Sequence, residues 1–368
     1  ATRRVIHPVV AVERAGDGPL TGIGAGSSGG GTRESMVYIE MERADARDRT
    51  GLVRDLERNL GHVRAAVTDW PELRRAMNED ASRVGDPEGG ALLRWFQGGS
   101  MTLVGHETWH VDGSVTDASG ICRMKLDTPL LADASRALAV EWFEKGGQPP
   151  LLLKSNLIST VHRRAPLDLV LVPVREGAKV TGLSIHAGLW TSAALHSTPD
   201  EVPVPRARLT SLETKFGFDP RGHTGKALAH ALTGLPHDLT TAFPQEALEQ
   251  IALTAMSVTD RPRSKLILIR STLGRHLFAF VWLPRDEVST GRRVAIGEML
   301  ERAASATQIS WSIALEDGPV ALLRYTLDLR GEGRLPDAAA LDAELQRMVR
   351  GWLPAVESDV APGRVPPA

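Results

Sequence analysis

The final hundred residues constrain the fold most, because apolar and polar positions alternate there in two strand pairs, each followed by helical spacing. The strands are predicted at Lys265–Ser271, His276–Leu283, Gln308–Leu315 and Val320–Leu329, and the helices at about Thr290–Ala306 and Pro336–Trp352. The order ββαββα predicts one antiparallel sheet carrying two helices on one face. It becomes the split βαβ sandwich, βαββαβ, if the first strand is moved to the end.

A second block is predicted upstream of this one, with more strands than helices. Helices are predicted at Ala91–Gln97 and about Ala134–Lys145, and strands at Met101–Val111, Gly120–Leu126, Leu151–Lys154, Thr160–Val174 and Lys179–Trp190. Residues 201–260 change character, because leucines there recur at helical spacing, and we interpret them as a helical connector.

The first block reads as two strands, Arg4–Glu13 and Ser35–Glu42, followed by a helix at about Asp48–Asp69. In that helix, apolar residues three and four apart predict one buried stripe: Leu52, Leu56, Leu60, Val63 and Val67. The order ββα is too little for a closed domain. We therefore expect part of this block to lie upstream of Ala1, in a longer protein.

Composition excludes several classes of protein. The 368 residues include 43 Lys and Arg against 45 Asp and Glu, a net charge of −2, which argues against nucleic acid or an anionic membrane as a partner. The single Cys122 excludes a disulfide framework and a cysteine-rich zinc module. The apolar runs are much shorter than the roughly 20 residues of a membrane-spanning helix. We expect a cytoplasmic protein.

A glycine-rich stretch, Gly24-Ala25-Gly26-Ser27-Ser28-Gly29, matches the dinucleotide fingerprint G-x-G-x-x-G. That site requires the glycines to follow a strand and open a helix, so that helix N–H groups face the pyrophosphate. The next predicted element, Ser35–Glu42, is a strand. We therefore interpret the glycines as a loop and predict no cofactor site in this chain.

The residues His106-Glu107-Thr108-Trp109-His110 match the zinc motif H-E-x-x-H, in which a helix brings both imidazoles to one metal ion. Their surroundings predict a strand instead, which separates the two histidines by about 13 Å at ~3.3 Å per residue. Two nitrogens on one zinc ion lie within about 4 Å of each other. A strand excludes chelation by this pair, and we predict no metal site.

Polar groups cluster between the predicted strands at residues 154–163. Lys154 and Arg163 are candidates for holding the carboxylate of an effector, and Asn156 and His162 complete the candidate set. The competing interpretation is a strand connection whose polar side chains satisfy backbone groups.

Many short strings, in order along the chain, resemble the large bacterial NAD-specific glutamate dehydrogenases. They are Ile6-His7-Pro8-Val9-Val10, Glu34-Ser35, residues 63–70, Lys154-Ser155-Asn156, residues 159–163, Gly188–Ser192, Gly217–Pro220 with His223 and residues 225–228, Arg261-Pro262-Arg263, and Leu283-Pro284-Arg285-Asp286. The resemblance implies the N-terminal, non-catalytic region, a series of ACT-like domains. It also implies a parent enzyme that converts L-glutamate, NAD and water to 2-oxoglutarate, ammonium and NADH. We assign no catalytic residue to this chain.

The fold predicted from residues and resemblance together is α+β, with tandem ACT-like domains and antiparallel sheets. These domains are ferredoxin-like, βαββαβ, with a permuted strand order left open. The predicted divisions are a partial first ACT-like domain at 1–70, a linker at 71–90, a second ACT-like domain at 91–200, a helical connector at 201–260, a third ACT-like domain at 261–354 and a flexible tail at 355–368.

Three functions stay open at this point. The first is a regulatory segment that binds an amino-acid effector, joins subunits of a homo-oligomer and acts on a C-terminal catalytic domain of the same chain. The second is a purely structural assembly module that joins subunits through exposed strands and binds no ligand. The third is a zinc hydrolase acting through His106, Glu107 and His110.

Overall fold

The computed structural model describes residues 2–16, 18–24, 32–43, 45–315, 318–329 and 333–349. The chain divides into two compact units, Ala1–Gly61 and His62–Ala368. Its described residues form antiparallel sheets and eleven α-helices, numbered below in chain order, which confirms the predicted α+β class. None of these helices is long and apolar enough to cross a membrane.

The first unit contains two small antiparallel sheets, with strand orders β1-β5 and β3-β2-β4. Its strands are β1 (Thr2–Ile6), β2 (Val9–Arg14), β3 (Leu20–Gly24), β4 (Thr32–Ser35) and β5 (Tyr38–Met41). The predicted strand Arg4–Glu13 is thus broken in two, the predicted strand Ser35–Glu42 corresponds mainly to β5, and β3 and most of β4 were not predicted. The break falls at His7-Pro8, where proline supplies no N–H group to a ladder.

Helix α1 (Ala46–Thr68) confirms the predicted helix, but the prediction of a buried stripe along it is wrong. Leu60 is 53% exposed and Val67 is 70% exposed, and the other stripe residues are also open to solvent. The residues that α1 does bury are His62 and Ala66. Helical spacing shows that apolar residues share a face, but it does not show that the face is covered.

Two helices follow directly, α2 (Trp70–Arg83) and α3 (Pro87–Trp95), so the predicted linker at 71–90 is largely helical. Both helices carry proline in the first turn, where its missing N–H costs nothing. The N-cap of α3 is Asp86, whose carboxylate accepts a hydrogen bond from the Gly89 N–H at 2.7 Å. A short π-helical turn, Phe96–Ser100, leads into the next strand.

The larger sheet has five antiparallel strands in the order β7-β6-β10-β9-β8. They are β6 (Met101–His110), β7 (Val115–Gly120), β8 (Leu151–Ile158), β9 (Pro166–Glu176) and β10 (Lys179–Trp190), and the α4 helix (Asp133–Glu144) lies between β7 and β8 in the chain. The predicted strand at Gly120–Leu126 is wrong: β7 ends at Gly120, and Ile121–Arg123 is a 3₁₀ turn. The strand predicted from Thr160 starts only at Pro166, because Ser159 closes a loop on Val161.

Both faces of this sheet are covered. On one face, Leu169, Leu183 and Ile185 pack with α4 residues such as Phe143. On the other face, Val170 and Val172 pack with residues of α2 and α3. Successive strand residues point to opposite faces, so this alternation builds two cores from one sheet.

Five helices occupy the predicted connector at 201–260 and the residues just before it. They are α5 (Ser192–His196), α6 (Pro205–Phe216), α7 (His223–Thr233), α8 (His237–Ala242) and α9 (Gln245–Asp260). They do more than connect, because Leu212, Leu228 and Ile251 pack against Phe280 and Trp282 of the next sheet.

The last sheet confirms the predicted order ββαββα, with four antiparallel strands in the order β11-β12-β14-β13. Its elements are β11 (Lys265–Arg270), β12 (His276–Pro284), the 3₁₀ turn Arg285–Glu287, α10 (Thr290–Ala304), β13 (Thr307–Ala314), β14 (Val320–Asp328) and α11 (Ala338–Val349). The two helices share one face, where Leu300 and Leu345 pack with Leu323 and Leu327. The permuted ferredoxin-like arrangement and the domain boundaries stay predictions, and the tail at 355–368 lies outside the described residues.

Candidate functional site

A cleft of about 670 Å³ lies where the five-stranded sheet, helix α8 and the four-stranded sheet meet. Its lining comes from β8, β9, α8, the β11–β12 hairpin, β13, β14 and residues at the start of α4 and just before it. Six charged side chains line it, three of each sign: Lys154, Arg275, Arg324, Asp168, Asp238 and Asp328. We call it the mixed-charge cleft. Its volume falls within the range of about 300–1,000 Å³ that is typical of sites for small molecules.

Lys154 is placed by strand pairing, since it is the direct cross-strand partner of Asp168. Its ammonium group forms an ion pair with Asp168 and a second one, 2.8 Å long, with Asp238 of α8. The lysine therefore ties the five-stranded sheet to the helical layer. Its side chain is still 42% exposed, on the side that faces the cleft.

Lys154 and its two carboxylate neighbours, Asp168 and Asp238, shift one another's pKa values. Burial alone would lower the pKa of Lys154, but Asp238 and Asp168 outweigh it and raise that pKa, so the ammonium form persists at pH 7. Burial raises the pKa of Asp168. Burial would also raise the pKa of Asp238, but the ammonium group of Lys154 outweighs it and that pKa is lowered. The site therefore holds one cation between two carboxylates.

The opposite wall carries a second, looser ion pair. Arg275 lies 3.4 Å from the carboxylate of Asp328, whose side chain is almost fully buried. Arg324 donates hydrogen bonds to the Ser312 hydroxyl at 3.0 Å and to the Gly234 carbonyl at 3.3 Å. Burial lowers the pKa of His276, which lines the same cleft, so its imidazole is neutral at pH 7. Cations and carboxylates therefore line the same opening.

The four residues predicted to bind an effector separate into two pairs. Lys154 and Asn156 line the mixed-charge cleft, whereas His162 and Arg163 do not. Arg163 donates a hydrogen bond to the Trp190 carbonyl at 3.0 Å, as the strand-connection interpretation expects. Ligand binding by any of the four stays a prediction.

The glycine-rich motif does not have the structural context of a dinucleotide site. Gly24 is the last residue of β3, an antiparallel strand, and residues 25–31 lie outside the described residues. The next described element is β4, which is a strand as predicted. A dinucleotide fingerprint requires a helix N-terminus at that point. The described residues around Gly24 therefore do not fit NAD, and no step of hydride transfer follows from them.

The H-E-x-x-H motif lies on β6, so the predicted strand is confirmed. The His110 ring is hydrogen-bonded to the Thr116 hydroxyl at an exposed position, with 3.0 Å between Nε2 and Oγ1. His106 is buried. Glu107 pairs with Arg136 at 3.2 Å, and burial raises its pKa. The motif's three residues therefore do not converge on one ion.

Sequence reasoning did not single out Asp168, Asp238, Arg275, Arg324 or Asp328 as site residues. They come from four separate elements, so no local spacing connects them. One signal was available in β14, where Arg324 and Asp328 lie four residues apart on the face opposite the buried apolar residues.

Comparison with known proteins gives results for most of the chain. Residues 265–353 match the family model described as "Glutamate dehydrogenase, ACT2 domain". The chain is 28% identical to the NAD-specific glutamate dehydrogenase of Halomonas elongata over 87% of this chain and 21% of that protein. For the Pseudomonas aeruginosa protein of the same name, the identity is 26%, over 94% of this chain and 23% of that protein.

The Mycobacterium tuberculosis NAD-specific glutamate dehydrogenase is 23% identical over 91% of this chain and 21% of its own length. This chain spans about a fifth of the length of the curated relatives that it matches. The resemblance predicted from the short motifs is confirmed by these matches. The chain resembles the N-terminal region of the large bacterial NAD-specific glutamate dehydrogenases along most of its length, and its residues 265–353 match the model of the ACT2 domain of that family.

Proposed function

We propose that this chain is the regulatory segment of an NAD-dependent glutamate dehydrogenase, and that an amino acid bound in the mixed-charge cleft is its effector. The parent enzyme oxidises L-glutamate with NAD and water to 2-oxoglutarate, ammonium and NADH. Its catalytic residues and its NAD lie in a C-terminal domain of the same polypeptide. The observation that carries the proposal is that three cationic side chains and three carboxylates line one cleft.

A free amino acid carries one carboxylate and one ammonium group, and the cleft offers partners for both. Arg275 supplies donors for a carboxylate, and its 3.4 Å contact with Asp328 is long enough to be exchanged for a better one. Asp238 and Asp168 supply acceptors for an ammonium group beside Lys154. Asn156, exposed at the same opening, supplies an amide that orients the ligand.

The location of the cleft supports a role in regulation. Lys154 and Asp168 belong to the five-stranded sheet, Asp238 to the helical layer, and Arg275 to the turn between β11 and β12 of the four-stranded sheet. A ligand that contacts all three parts stabilises one arrangement of them over others. Differential binding of this kind shifts a conformational equilibrium, with typical coupling of about 1–3 kcal/mol.

Calorimetric titration of this chain with each of the common amino acids tests the proposal. We expect one of them to bind saturably at one molecule per chain. Arg275→Gln and Asn156→Ala are expected to weaken that binding, whereas Arg302→Gln, on the exposed side of α10 and outside the cleft, is the matched control. Absence of binding by every amino acid, or equal binding by all three variants, would contradict the effector site.

Assembly of subunits is the second candidate, and strand β13 favours it. This strand lies at the edge of the four-stranded sheet, carries no charged residue, and leaves Ile309 52% exposed and Trp311 45% exposed. Uncharged edge strands readily pair with another chain. In analytical ultracentrifugation we expect self-association that Ile309→Lys abolishes; a monomer at all concentrations would count against it.

A further inference from the structure

A buried polar cluster lies apart from the mixed-charge cleft, on the face of the five-stranded sheet that α2 covers. His106 and His186 are direct cross-strand partners of β6 and β10, and their rings stack with centroids 4.6 Å apart. Asp80 reaches them from α2, and Ser184 lies two residues before His186. Each of these four side chains is at most 4% exposed. The proposed function uses none of them.

The four side chains form one chain of short contacts. His186 Nε2 lies 2.7 Å from Asp80 Oδ2, and Ser184 Oγ lies 2.5 Å from the same oxygen. Ser184 Oγ is also 2.9 Å from His106 Nε2, and His106 Nδ1 is 3.2 Å from the Asp117 carbonyl. The second carboxylate oxygen of Asp80 pairs with Arg83, whose side chain is 54% exposed.

Counting the hydrogen atoms shows that these four contacts share only three hydrogens when both imidazoles are neutral. The Asp80 carboxylate accepts one hydrogen bond from the Ser184 hydroxyl and one from the Nε2–H of a neutral His186. The Asp117 carbonyl accepts a hydrogen bond from the only N–H of a neutral His106. No hydrogen then remains between His106 Nε2 and Ser184 Oγ, where two lone pairs face each other at 2.9 Å. A cation among these atoms removes the mismatch.

Both imidazoles are buried in the core, and imidazole nitrogen is a donor that zinc commonly takes in proteins.

We propose that Asp80, His106 and His186 bind one zinc ion through the Asp80 carboxylate and one nitrogen of each imidazole. The candidate ligand atoms lie within 4.8 Å of one another. Zinc bonds of about 2.0–2.2 Å place tetrahedral ligands about 3.3 Å apart, so small side-chain rotations close the set. Two imidazoles and a carboxylate form a donor set that suits zinc. The Ser184 hydroxyl lies beside the fourth position.

The surrounding contacts match those of metal ligands in proteins. A zinc-bound histidine usually donates its other N–H to a carbonyl, and a bound carboxylate is usually held by a further donor. The Asp117 carbonyl serves His106 in this way, and Arg83 serves Asp80. The ion would join α2 to β6 and β10 inside a core, which indicates a stabilising role. The sequence motif thus contains one true ligand, His106, whose partner is His186 across the sheet and not His110.

Zinc titration of the complete chain, purified without a histidine tag and stripped with a chelator, tests the site. We expect one zinc ion per chain by calorimetry and by metal analysis, together with a rise in the melting temperature. Asp80→Asn, which keeps the side-chain shape, is expected to weaken zinc binding by more than about 100-fold. His110→Asn is the matched control, because it removes the exposed histidine of the same strand, and it should bind zinc as the wild type does.

Cobalt(II) gives a readout that needs no variant, in case Asp80→Asn does not fold. The wild-type chain should show the intense visible bands of a four-coordinate cobalt ion, and zinc should abolish them. The proposal is overturned if the stripped wild type binds no zinc, if folded Asp80→Asn binds it as tightly as the wild type, or if cobalt stays six-coordinate.

Discussion

The two large sheets of this chain share an architecture but differ in what they enclose. Both are antiparallel and covered by helices on both faces. The four-stranded sheet packs Leu323 and Leu327 against one helical layer and Phe280 against the other. The five-stranded sheet encloses two histidines and an aspartate on the face that α2 covers.

The face of the four-stranded sheet is held by apolar packing, whereas the face of the five-stranded sheet under α2 also contains buried polar side chains. Burying a polar group costs free energy unless a partner compensates it, whereas apolar burial stabilises in proportion to area. A truncation in the apolar core of the four-stranded sheet is therefore expected to cost more than a substitution in the buried polar cluster of the five-stranded sheet. The five-stranded sheet, which contributes to the mixed-charge cleft and contains the imidazole cluster, is expected to supply most of the binding groups.

The largest effect is expected in the core of the four-stranded sheet. Phe280→Ala removes a ring that is 1% exposed between the sheet and the helical layer. It should lower the free energy of unfolding by about 3–5 kcal/mol, measured by urea denaturation. Leu315→Ala, at a position 54% exposed at the end of β13, is the control and should change it by less than about 0.5 kcal/mol. Similar losses for both variants would contradict the assigned core.

A smaller loss is expected from the polar cluster of the five-stranded sheet. With a chelator present, Asp80→Ala leaves the buried His186 N–H without its acceptor, whereas the Ser184 hydroxyl can turn to His106 Nε2 at 2.9 Å. An unsatisfied buried donor costs about 1–3 kcal/mol, which the same denaturation measurement detects. A loss larger than that of Phe280→Ala would reverse the comparison between the two sheets.

Lys154→Met should give a still smaller, pH-dependent loss. At pH 7 the variant leaves Asp168 and Asp238 facing each other without a cation, and we expect a cost of about 1 kcal/mol, reduced by the exposure of the lysine. In the wild type, Lys154 holds the pKa of Asp238 low, so that stabilisation is present above the unfolded pKa and is lost as the pH falls. In the variant both carboxylates take up protons more readily.

On acidification the wild type loses the stabilisation of Asp238 by Lys154, and the carboxylates of the variant become neutral more readily. Both changes reduce the stability difference between Lys154→Met and the wild type, which should shrink as the pH falls from about 5 to about 3. Denaturation curves across this pH range measure it. A difference that is constant, or that grows on acidification, would show that Lys154 does not stabilise the two carboxylates. Lys145→Met, on the exposed end of α4, serves as the matched lysine control.

The smallest effect is expected on α1. Val67→Ser removes an apolar side chain that is 70% exposed, so the free energy of unfolding should change by less than about 0.5 kcal/mol. A loss above about 1 kcal/mol would show that the stripe is covered, as its helical spacing first predicted.

The sequence predicted the four-stranded sheet element by element, because its strands alternate cleanly and its turns are short. It predicted the five-stranded sheet less well. Edge strand β7 is mostly polar and exposed, so its sequence does not indicate a strand. The apolar residues that follow it led to the wrong prediction of a strand at Gly120–Leu126. Strands β6 and β10 were predicted to within one residue, although buried histidines and Ser184 interrupt their apolar runs.

The candidate sites were predictable only where their residues are close in sequence. Lys154 and Asn156 were found because they stand in one polar stretch between apolar strands. Asp238 and Arg275 join them through tertiary packing, which no spacing in the sequence encodes. His186 was not predicted as a partner of His106 for the same reason, since the two cross-strand neighbours lie 80 residues apart in the sequence.

The most direct test of the regulatory role is made on the full-length protein. Its rate of NAD reduction across a range of L-glutamate concentrations is measured with and without the amino acid that this chain binds, for the wild type and Arg275→Gln. We predict that the effector changes the wild-type dependence on glutamate several-fold, that the variant loses this response, and that both proteins are equally active without effector. An effector response that Arg275→Gln retains, or no response in either protein, would contradict regulation through the mixed-charge cleft.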